Sequence, residues 1–559
     1  MIAGPHPLKP RARRSNQFAV LLCAASLLAP GGWPVARAQS PNALPALGDS
    51  ASEDLSVGAE RLIGEQIMRE IRRDPDYMDD PVLLEYLQSI WQPLLAAARA
   101  RGDIGIELDM RYSFEPFLVR ERSVNAFALP GGFIGVHLGL IAMTASRDEL
   151  ASVLAHELSH ITQRHIARSI APSRNASILG IVTTILGILA ASRSRSPDAA
   201  NAAIAGGQAA AIQTQLNFSR DMEREADRVG YGVMTQAGFS SAGMAAMFEK
   251  LDQSSRLNDS GNFPYLRSHP LTVERIGEAR SRLGTGSPTA LTGDPLEHAI
   301  ARARARVLMD PRAESLRILE GLDANAARTS AGSSVAERLG AAYASAFAAS
   351  QLRDWARADA ALAQASGLAQ GSPRSDDRAV RAVQLLAAQS MLERGDSAGA
   401  AIALEPLRGD ASRPVMLLRA QVALVADAQA SAPASAQAAR QGLPAVPALQ
   451  RSAEALQTWV ATHPMDAPAW KALGQVWARL GQPLRALRAD AEAQWAIGDL
   501  PGAVERLRAA QRLARTGAVT DFIEASVVDA RLRSMEAQRR ALFAADDKRN
   551  GGKGGPPPQ

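Results

Sequence analysis

Cysteine is almost absent from this chain of 559 residues, since Cys23 is the only one. It lies in an apolar run near the N-terminus, and Leu22 precedes it where the signal of a lipoprotein has a small residue. Lipid attachment is therefore not expected. The chain that follows this run can form no disulfide, so packing alone must stabilise it.

Aromatic residues and an excess of charge of one sign are also scarce. Phe, Trp and Tyr make up 4% of the chain while alanine is abundant, which favours close-packed helices over sheets. The net charge is only +5, and arginines are spread along the chain beside acidic residues, so no nucleic-acid-binding surface is expected. The length indicates two or more domains.

The N-terminus has the three parts of a secretory signal peptide. Basic residues come first, an apolar run over 18–29 follows, and Ala36-Arg37-Ala38 forms a small-x-small cleavage site. We expect a signal peptide over 1–38, cleaved after Ala38, a linker over 39–56 and export to a bacterial periplasm. An uncleaved N-terminal anchor is the alternative, although the apolar run is short for a membrane span.

Hydrophobic periodicity divides the rest into two parts. Over 57–290 helices alternate with short strands, including a strand at 104–114 and a helix over 147–169. From 291 to 545 Ala-rich helices follow one another, and WKALGQVWARLG at 470–481 matches the first helix of a tetratricopeptide repeat. We expect a mainly α protein with a small β-sheet, in which an α+β domain precedes an α-solenoid of tetratricopeptide-like repeats. A non-repeating helical bundle is the alternative.

Two segments are harder to interpret from composition. The apolar stretches within 177–215 predict a helical hairpin, which either packs in the core or contacts a membrane peripherally, because each is too short to span one. The glycine- and proline-rich C-terminus predicts a disordered tail over 546–559.

The stretch LAHELSHITQRH at 154–165 contains the pattern HExxH. Residues four apart share a helix face, so His156 and His160 can reach one metal ion, and Glu157 lies close enough to hold a water molecule. A solvated helix face is the alternative. It is disfavoured because the preceding residues 153–155 are apolar, and burying these polar groups without a partner would be costly.

A catalytic zinc site needs a third protein ligand. His165 is a poor candidate, because on a continuous helix it projects to nearly the opposite side from His160. Glu223 and Asp227 are four apart, so Glu223 can bind the metal while Asp227 accepts the free N–H of a ligand histidine. On spacing alone a charged surface helix is the alternative, and Glu225 competes as the ligand.

The combination of HELSH, SRDMEREAD at 219–227 and NAFALPGG at 125–132 resembles the HtpX/CAAX-protease superfamily of zinc metallopeptidases. Its soluble BepA-type branch in the periplasm carries a C-terminal tetratricopeptide domain. The resemblance covers about 55–285 and implies a zincin-type metallopeptidase domain with one zinc ion per chain. It implies these roles: His156, His160 and Glu223 as metal ligands, Glu157 as the base that deprotonates a zinc-activated water, and Asp227 as the hydrogen-bond acceptor.

The resemblance also implies a substrate-binding edge strand and a functional histidine. The strand consists of Phe133, Ile134, Gly135 and Val136, with which an extended substrate would pair. His269 would stabilise the oxyanion or take the fourth place on the zinc and block it, whereas a solvent-facing loop histidine is the plain alternative. For Arg275 the favoured interpretation is a surface charge, and a partner for an oxyanion or a carboxylate is the alternative.

These expectations combine into a zinc-dependent endopeptidase that cleaves misfolded or stalled envelope proteins during outer-membrane protein assembly. Its repeats would recruit protein substrates or the assembly machinery. The alternative is a chaperone-like tetratricopeptide scaffold with a largely silent or self-inhibited metal site. The glutamate of HExxH argues against that alternative, because a structural zinc site needs no base.

Overall fold

A computed structural model describes the chain over the ranges 55–170, 181–183, 185–187, 218–257, 263–283, 295–324, 333–371, 377–431, 445–516 and 521–549. The expected signal peptide, most of the expected linker and most of the segment 177–215 lie outside these residues.

The N-terminal half combines helices with four short strands. In chain order its helices are α1 (Val57–Ile71), α2 (Pro81–Arg101), α3 (Ile106–Arg111), α4 (Leu138–Met143), α5 (Arg147–Thr162), α6 (His165–Ile170), α7 (Arg220–Gln236), α8 (Ala242–Leu257), α9 (Tyr265–Ser268) and α10 (Val273–Ser281). The strands are β1 (Tyr77–Met78), β2 (Glu115–Val119), β3 (Ala126–Leu129) and β4 (Phe133–His137). The expected mainly α fold with a small sheet is confirmed.

The sheet has the order β1-β2-β4-β3, with β4 parallel to β2 and antiparallel to β3. The expected edge strand at Phe133, Ile134, Gly135 and Val136 is therefore wrong, because β4 has a neighbour on each side and all its residues are buried. The turn at Gly131 and Gly132, whose φ angles are 80° and 90°, folds β3 back along β4. The edges of the sheet are β1 and β3, and β3 is the edge strand beside β4.

The expected strand at 104–114 is also wrong, since α3 occupies most of it. Gly105 precedes the helix, and Glu107 and Asp109 lie in its first turn, where negative charge is favourable. Ile106 and Met110 are 81% and 82% exposed. The alternation of apolar and polar residues therefore does not reflect one buried face.

The C-terminal half is entirely helical in its described residues. Its helices are α11 (Pro295–Leu308), α12 (Ala313–Glu320), α13 (Val335–Gln351), α14 (Trp355–Gln370), α15 (Asp377–Glu393), α16 (Ser397–Leu404), α17 (Arg413–Ala430), α18 (Ala445–Thr462), α19 (Ala467–Arg479), α20 (Pro483–Ala496), α21 (Leu500–Arg515) and α22 (Phe522–Arg549). From α13 onward each helix packs on the next one, as in a repeat array. The assignment of these helices to tetratricopeptide repeats stays a prediction.

Helix α11 joins the two halves. Ala301 and Ala305 on one face belong to the core of the N-terminal half, whereas Ile300 and Val307 belong to the first helical core that follows. Arg304 is buried between them, and its guanidinium binds both carboxylate oxygens of Asp80 at 2.7 Å. The halves thus share a helix, and the expected boundary near 291 stays a prediction.

In the described part of the chain no helix is long and apolar enough to cross a membrane. Only a few residues of the apolar segment 177–215 are described. Of these, Ile181, Val182 and Ile185 are buried in a cluster with α1 and the sheet. The choice between core packing and peripheral membrane contact for the whole segment therefore stays open.

The ion pair between Arg304 and Asp80 predicts a stability effect. We expect Arg304→Ala to destabilise the chain by about 3–5 kcal/mol, because it leaves the buried carboxylate of Asp80 without its cation. The measurement is urea unfolding of the purified chain. The control Arg317→Ala removes an exposed arginine from α12 and should leave the unfolding curve unchanged. An equal effect of both variants would contradict the importance of this pair.

Candidate metal centre

Helix α5 carries the HExxH residues through the middle of the N-terminal core. The side chain of Ser146 caps its first turn by accepting a hydrogen bond from the backbone N–H of Glu149. Helix α7 packs closely against it, since a Cβ atom at Gly230 would lie 3.1 Å from the backbone nitrogen of His156. This close approach brings the carboxylates of α7 against the imidazoles of α5.

Four buried side chains converge at this crossing: His156, His160, Glu223 and His269. One potential ligand atom from each lies within 4.8 Å of all the others. The Nε2 atoms of His156 and His160 are 3.0 Å apart, and each lies 3.4 Å from an oxygen of Glu223. The structure therefore brings together the three expected ligands and the expected fourth one.

Asp227 lies one helical turn from Glu223 and contacts the other side of His156. Its Oδ1 is 2.9 Å from the Nδ1 atom of His156. Burial opposes the charged form of this imidazole, but Asp227 and Glu223 outweigh burial and raise its pKa to about 10. Asp227 thus lies where a ligand histidine needs an acceptor for its second nitrogen.

Arg275 is buried beside both carboxylates, so its interpretation as a surface charge is wrong. Its guanidinium binds the two oxygens of Asp227 at 2.6 and 2.8 Å and lies 2.8 Å from an oxygen of Glu223. It also donates a hydrogen bond to the backbone oxygen of Pro270 at 2.9 Å. Arg275 therefore ties the two carboxylates of α7 to the segment that carries His269. The sequence signal that could have placed Arg275 in the site is its position shortly after His269-Pro270.

The carboxylate of Glu157 is fully buried, and neither of its oxygens has a hydrogen-bond partner among the described residues. Burial raises its pKa above the usual range for glutamate, although the imidazoles of His269 and His156 oppose this effect. The backbone of Ala128 on β3 also opposes the rise of this pKa. Glu157 therefore lies beside the edge of the sheet. A buried carboxylate with a raised pKa is suited to accept and return a proton.

His269 does not face solvent, so the plain alternative for it is wrong. Its ring is 1% exposed and stacks on Tyr265 with centroids 4.7 Å apart, and its backbone N–H donates a hydrogen bond to the backbone oxygen of the same tyrosine at 2.8 Å. The Nδ1 atom lies 2.9 Å from Glu223 and 3.3 Å from the Nε2 atom of His156. His269 thus takes the fourth corner of the donor group.

His165 and Glu225 lie beside the donor group but outside it. The predicted continuous helix over 147–169 ends at Thr162, and α6 begins at His165. The side chain of His165 thereby turns back onto the ring of His160, with the two Nδ1 atoms 2.9 Å apart. Glu225 binds His165 and Arg168, so it does not compete with Glu223 for a metal.

The donor set fits a divalent cation. In a neutral His156, the form that binds a metal, the carboxylate of Asp227 favours the proton on Nδ1, which leaves the lone pair of Nε2 directed at the donor group. Two ring nitrogens and a carboxylate oxygen that face one another at these distances form a set that a single cation can bridge. Zinc bonds of 2.0–2.1 Å give a tetrahedron with edges of about 3.4 Å, close to the observed separations. Two imidazoles, one carboxylate and a fourth position form a zinc-type set.

The comparisons with known proteins agree with this site. The model of peptidase family M48 matches residues 85–283, which include all four donor residues. A beta-barrel assembly-enhancing protease of Escherichia coli K12 is 32% identical over 294 residues, covering 53% of this chain and 57% of that protein. Its namesake in Yersinia pestis is 34% identical over 249 residues, covering 44% and 48%.

A further relative matches a shorter part of the chain. A mitochondrial metalloendopeptidase of Schizosaccharomyces pombe is 33% identical over 163 residues, covering 29% of this chain and 44% of that protein. The chain thus spans about half the length of the bacterial relatives it matches. The match supports the site.

The two glutamates of α7 make a matched test of the donor set. We expect Glu223→Gln to lose bound zinc, because an amide does not supply the negative charge that the cation requires. Glu225→Gln should keep one zinc ion per chain, because it makes the same replacement of a carboxylate by an amide at a residue outside the donor group. Metal analysis of the dialysed proteins measures both. Zinc retained by Glu223→Gln and lost by Glu225→Gln would show that the ligand is misassigned.

Proposed function

Since residues 85–283 carry a peptidase family M48 domain, we propose that this chain is a zinc-dependent endopeptidase of the bacterial periplasm. Its substrates are misfolded or stalled envelope proteins. The observation that carries the proposal is the carboxylate of Glu157, which is fully buried and lies 3.5 Å from His269 at the edge of the donor group. A purely structural metal site does not need a base in this position.

The catalytic roles follow from the chemistry of each side chain. His156, His160 and Glu223 would hold the zinc ion, with Asp227 and Arg275 fixing the orientation of His156 and Glu223. When bound, zinc supplies Lewis acidity, which acidifies water and polarises a peptide carbonyl. Glu157 accepts the proton from the attacking water and delivers it to the nitrogen of the leaving amine.

The free edge of β3 gives the substrate a place to bind. The backbone oxygen of Asn125 accepts a hydrogen bond from His137, so Asn125 faces β4. Backbone groups alternate in direction along an antiparallel strand, so Ala126 and Ala128 present theirs to the open side. An extended peptide pairing there would pass beside Glu157, so we expect unfolded segments to be the preferred substrates.

The biological role is proposed from the relatives and the N-terminus. The names of the bacterial relatives assign them to beta-barrel assembly, which supports a role in outer-membrane protein assembly for this chain. The secretory signal peptide expected over 1–38 supports a periplasmic location. The helices of the C-terminal half then recruit the substrate or the assembly machinery, since stacked helix pairs form extended binding surfaces.

One observation favours an enzyme that is self-inhibited in this conformation. His269 points its Nδ1 atom into the donor group, 2.9 Å from Glu223, where it would occupy the position that a water needs. We therefore choose blocking over oxyanion stabilisation as the role of His269 in this conformation. A scaffold with a self-inhibited site is the second candidate, and it shares this geometry.

The proposed base predicts a separation of binding from catalysis. We expect Glu157→Gln to keep one zinc ion per chain, while cleavage of an unfolded outer-membrane protein falls by about 10²–10⁴-fold or more, because the amide accepts no proton. Gel-based cleavage and metal analysis on the same preparation measure the two effects. Equal cleavage by the variant and the parent would refute the proposed function and favour the scaffold.

The blocking role of His269 predicts a gain of activity. His269→Ala should raise basal cleavage, because it frees the fourth position, whereas His463→Ala removes an exposed histidine and should have no effect. The initial rates of the two variants and the parent, at equal zinc content, decide the matter. A loss of cleavage by about 10²–10³-fold would instead assign His269 to the oxyanion.

A further inference from the structure

A chain of four side chains continues from the donor group to the surface of α6 and α7. The Nδ1 atom of His160 lies 2.9 Å from the Nδ1 atom of His165. The Nε2 atom of His165 lies 3.0 Å from a carboxylate oxygen of Glu225, and Arg168 binds the same oxygen at 2.8 Å. His165 is completely buried, so water does not compete for either of its nitrogens.

The backbone is arranged to bring His165 to this place. Arg164, between α5 and α6, has a φ angle of 52°, which L-residues with a side chain rarely adopt. Its guanidinium is held by the buried carboxylate of Glu60 at 2.8 Å through Nε, and by the backbone oxygen of Leu55. This reversal redirects His165, which on a continuous helix would point away from His160.

Hydrogen-bond chemistry then fixes the protons along the chain. The carboxylate of Glu225 can only accept, so the Nε2 atom of His165 must carry a hydrogen. In a neutral imidazole the other nitrogen is then an acceptor, so the Nδ1 atom of His165 requires a donor opposite it. Among the described residues the group opposite it is the Nδ1 atom of His160, whose Nε2 atom is thereby left with its lone pair facing the donor group.

We propose that His165 is a positioning residue that holds His160 in the tautomer with Nδ1–H, through a relay that ends on Glu225 and Arg168. The proposal rests on the proposed function, because that function makes His160 a zinc ligand. The two ligand histidines are then oriented by different means. His156 meets the carboxylate of Asp227 directly at 2.9 Å, whereas His160 reaches a carboxylate only through a second imidazole.

Three variants of the full chain test the relay. His165→Leu removes the acceptor opposite His160. His165→Gln keeps an oxygen that can accept from His160 and an N–H₂ group that can donate to Glu225. Glu225→Gln keeps an oxygen that can accept from His165. The zinc dissociation constant is measured by competition with a chelator, and thermal midpoints of the metal-free proteins report packing separately.

We expect the leucine variant to bind zinc about 10–100-fold more weakly than the parent. The glutamine variants at both positions should bind zinc nearly as tightly as the parent. Nitrogen NMR of the zinc-loaded, histidine-labelled parent should show His165 protonated at Nε2 and unprotonated at Nδ1, with His160 protonated at Nδ1. This tautomer pattern would not arise from a merely structural role of His165.

Several results would overturn the relay. One is a zinc dissociation constant of the leucine variant that equals that of the parent. Another is an equal loss of zinc affinity in the leucine and glutamine variants at position 165. The third is a proton on the Nδ1 atom of His165. If the leucine variant fails to fold, the glutamine variant and the spectra of the parent still decide. The readouts need no substrate, so a parent that binds zinc but cleaves nothing would refute the proposed function alone.

Discussion

The close approach of α5 and α7 at Gly230 is the constraint on which the site depends. It places Glu223 and Asp227 of one helix against His156 and His160 of the other, inside a core from which water is excluded. Acidic groups so deeply buried are unfavourable unless they are paired. Arg275 and the imidazoles provide that pairing, and the ring nitrogens and carboxylate oxygens converge on one point.

Buried charged side chains are also paired elsewhere in the structure. Arg164 and Glu60 hold the reversal after α5, and Arg304 and Asp80 join α11 to the start of α2. Each pair is buried and satisfies a charge that the fold would otherwise expose to an apolar core. The helical C-terminal half is thus attached to the N-terminal half by ion pairs as well as by the shared helix α11. Both halves belong to one compact unit.

The sequence predicted those features that depend on local periodicity. Residues four apart on a helix share a face, which was enough to place His156 with His160 and Glu223 with Asp227. It did not predict features that depend on distant or unusual backbone. The reversal at Arg164 carries no glycine to signal it, so His165 was placed on the wrong side of the helix. Tertiary packing determines which strand of the hairpin pairs with β2. Because β4 pairs with β2, β3 and not β4 lies at the edge.

The central claim is that one cation is bound by both imidazoles of HExxH and by the distant carboxylate of Glu223. Anomalous diffraction at the zinc absorption edge, from crystals of the zinc-loaded chain, locates that cation directly. The account predicts a single strong peak at about 2.0–2.2 Å from the Nε2 atoms of His156 and His160 and from an oxygen of Glu223. A peak that lacks Glu223 among its neighbours, or a peak elsewhere in the chain, would contradict the account.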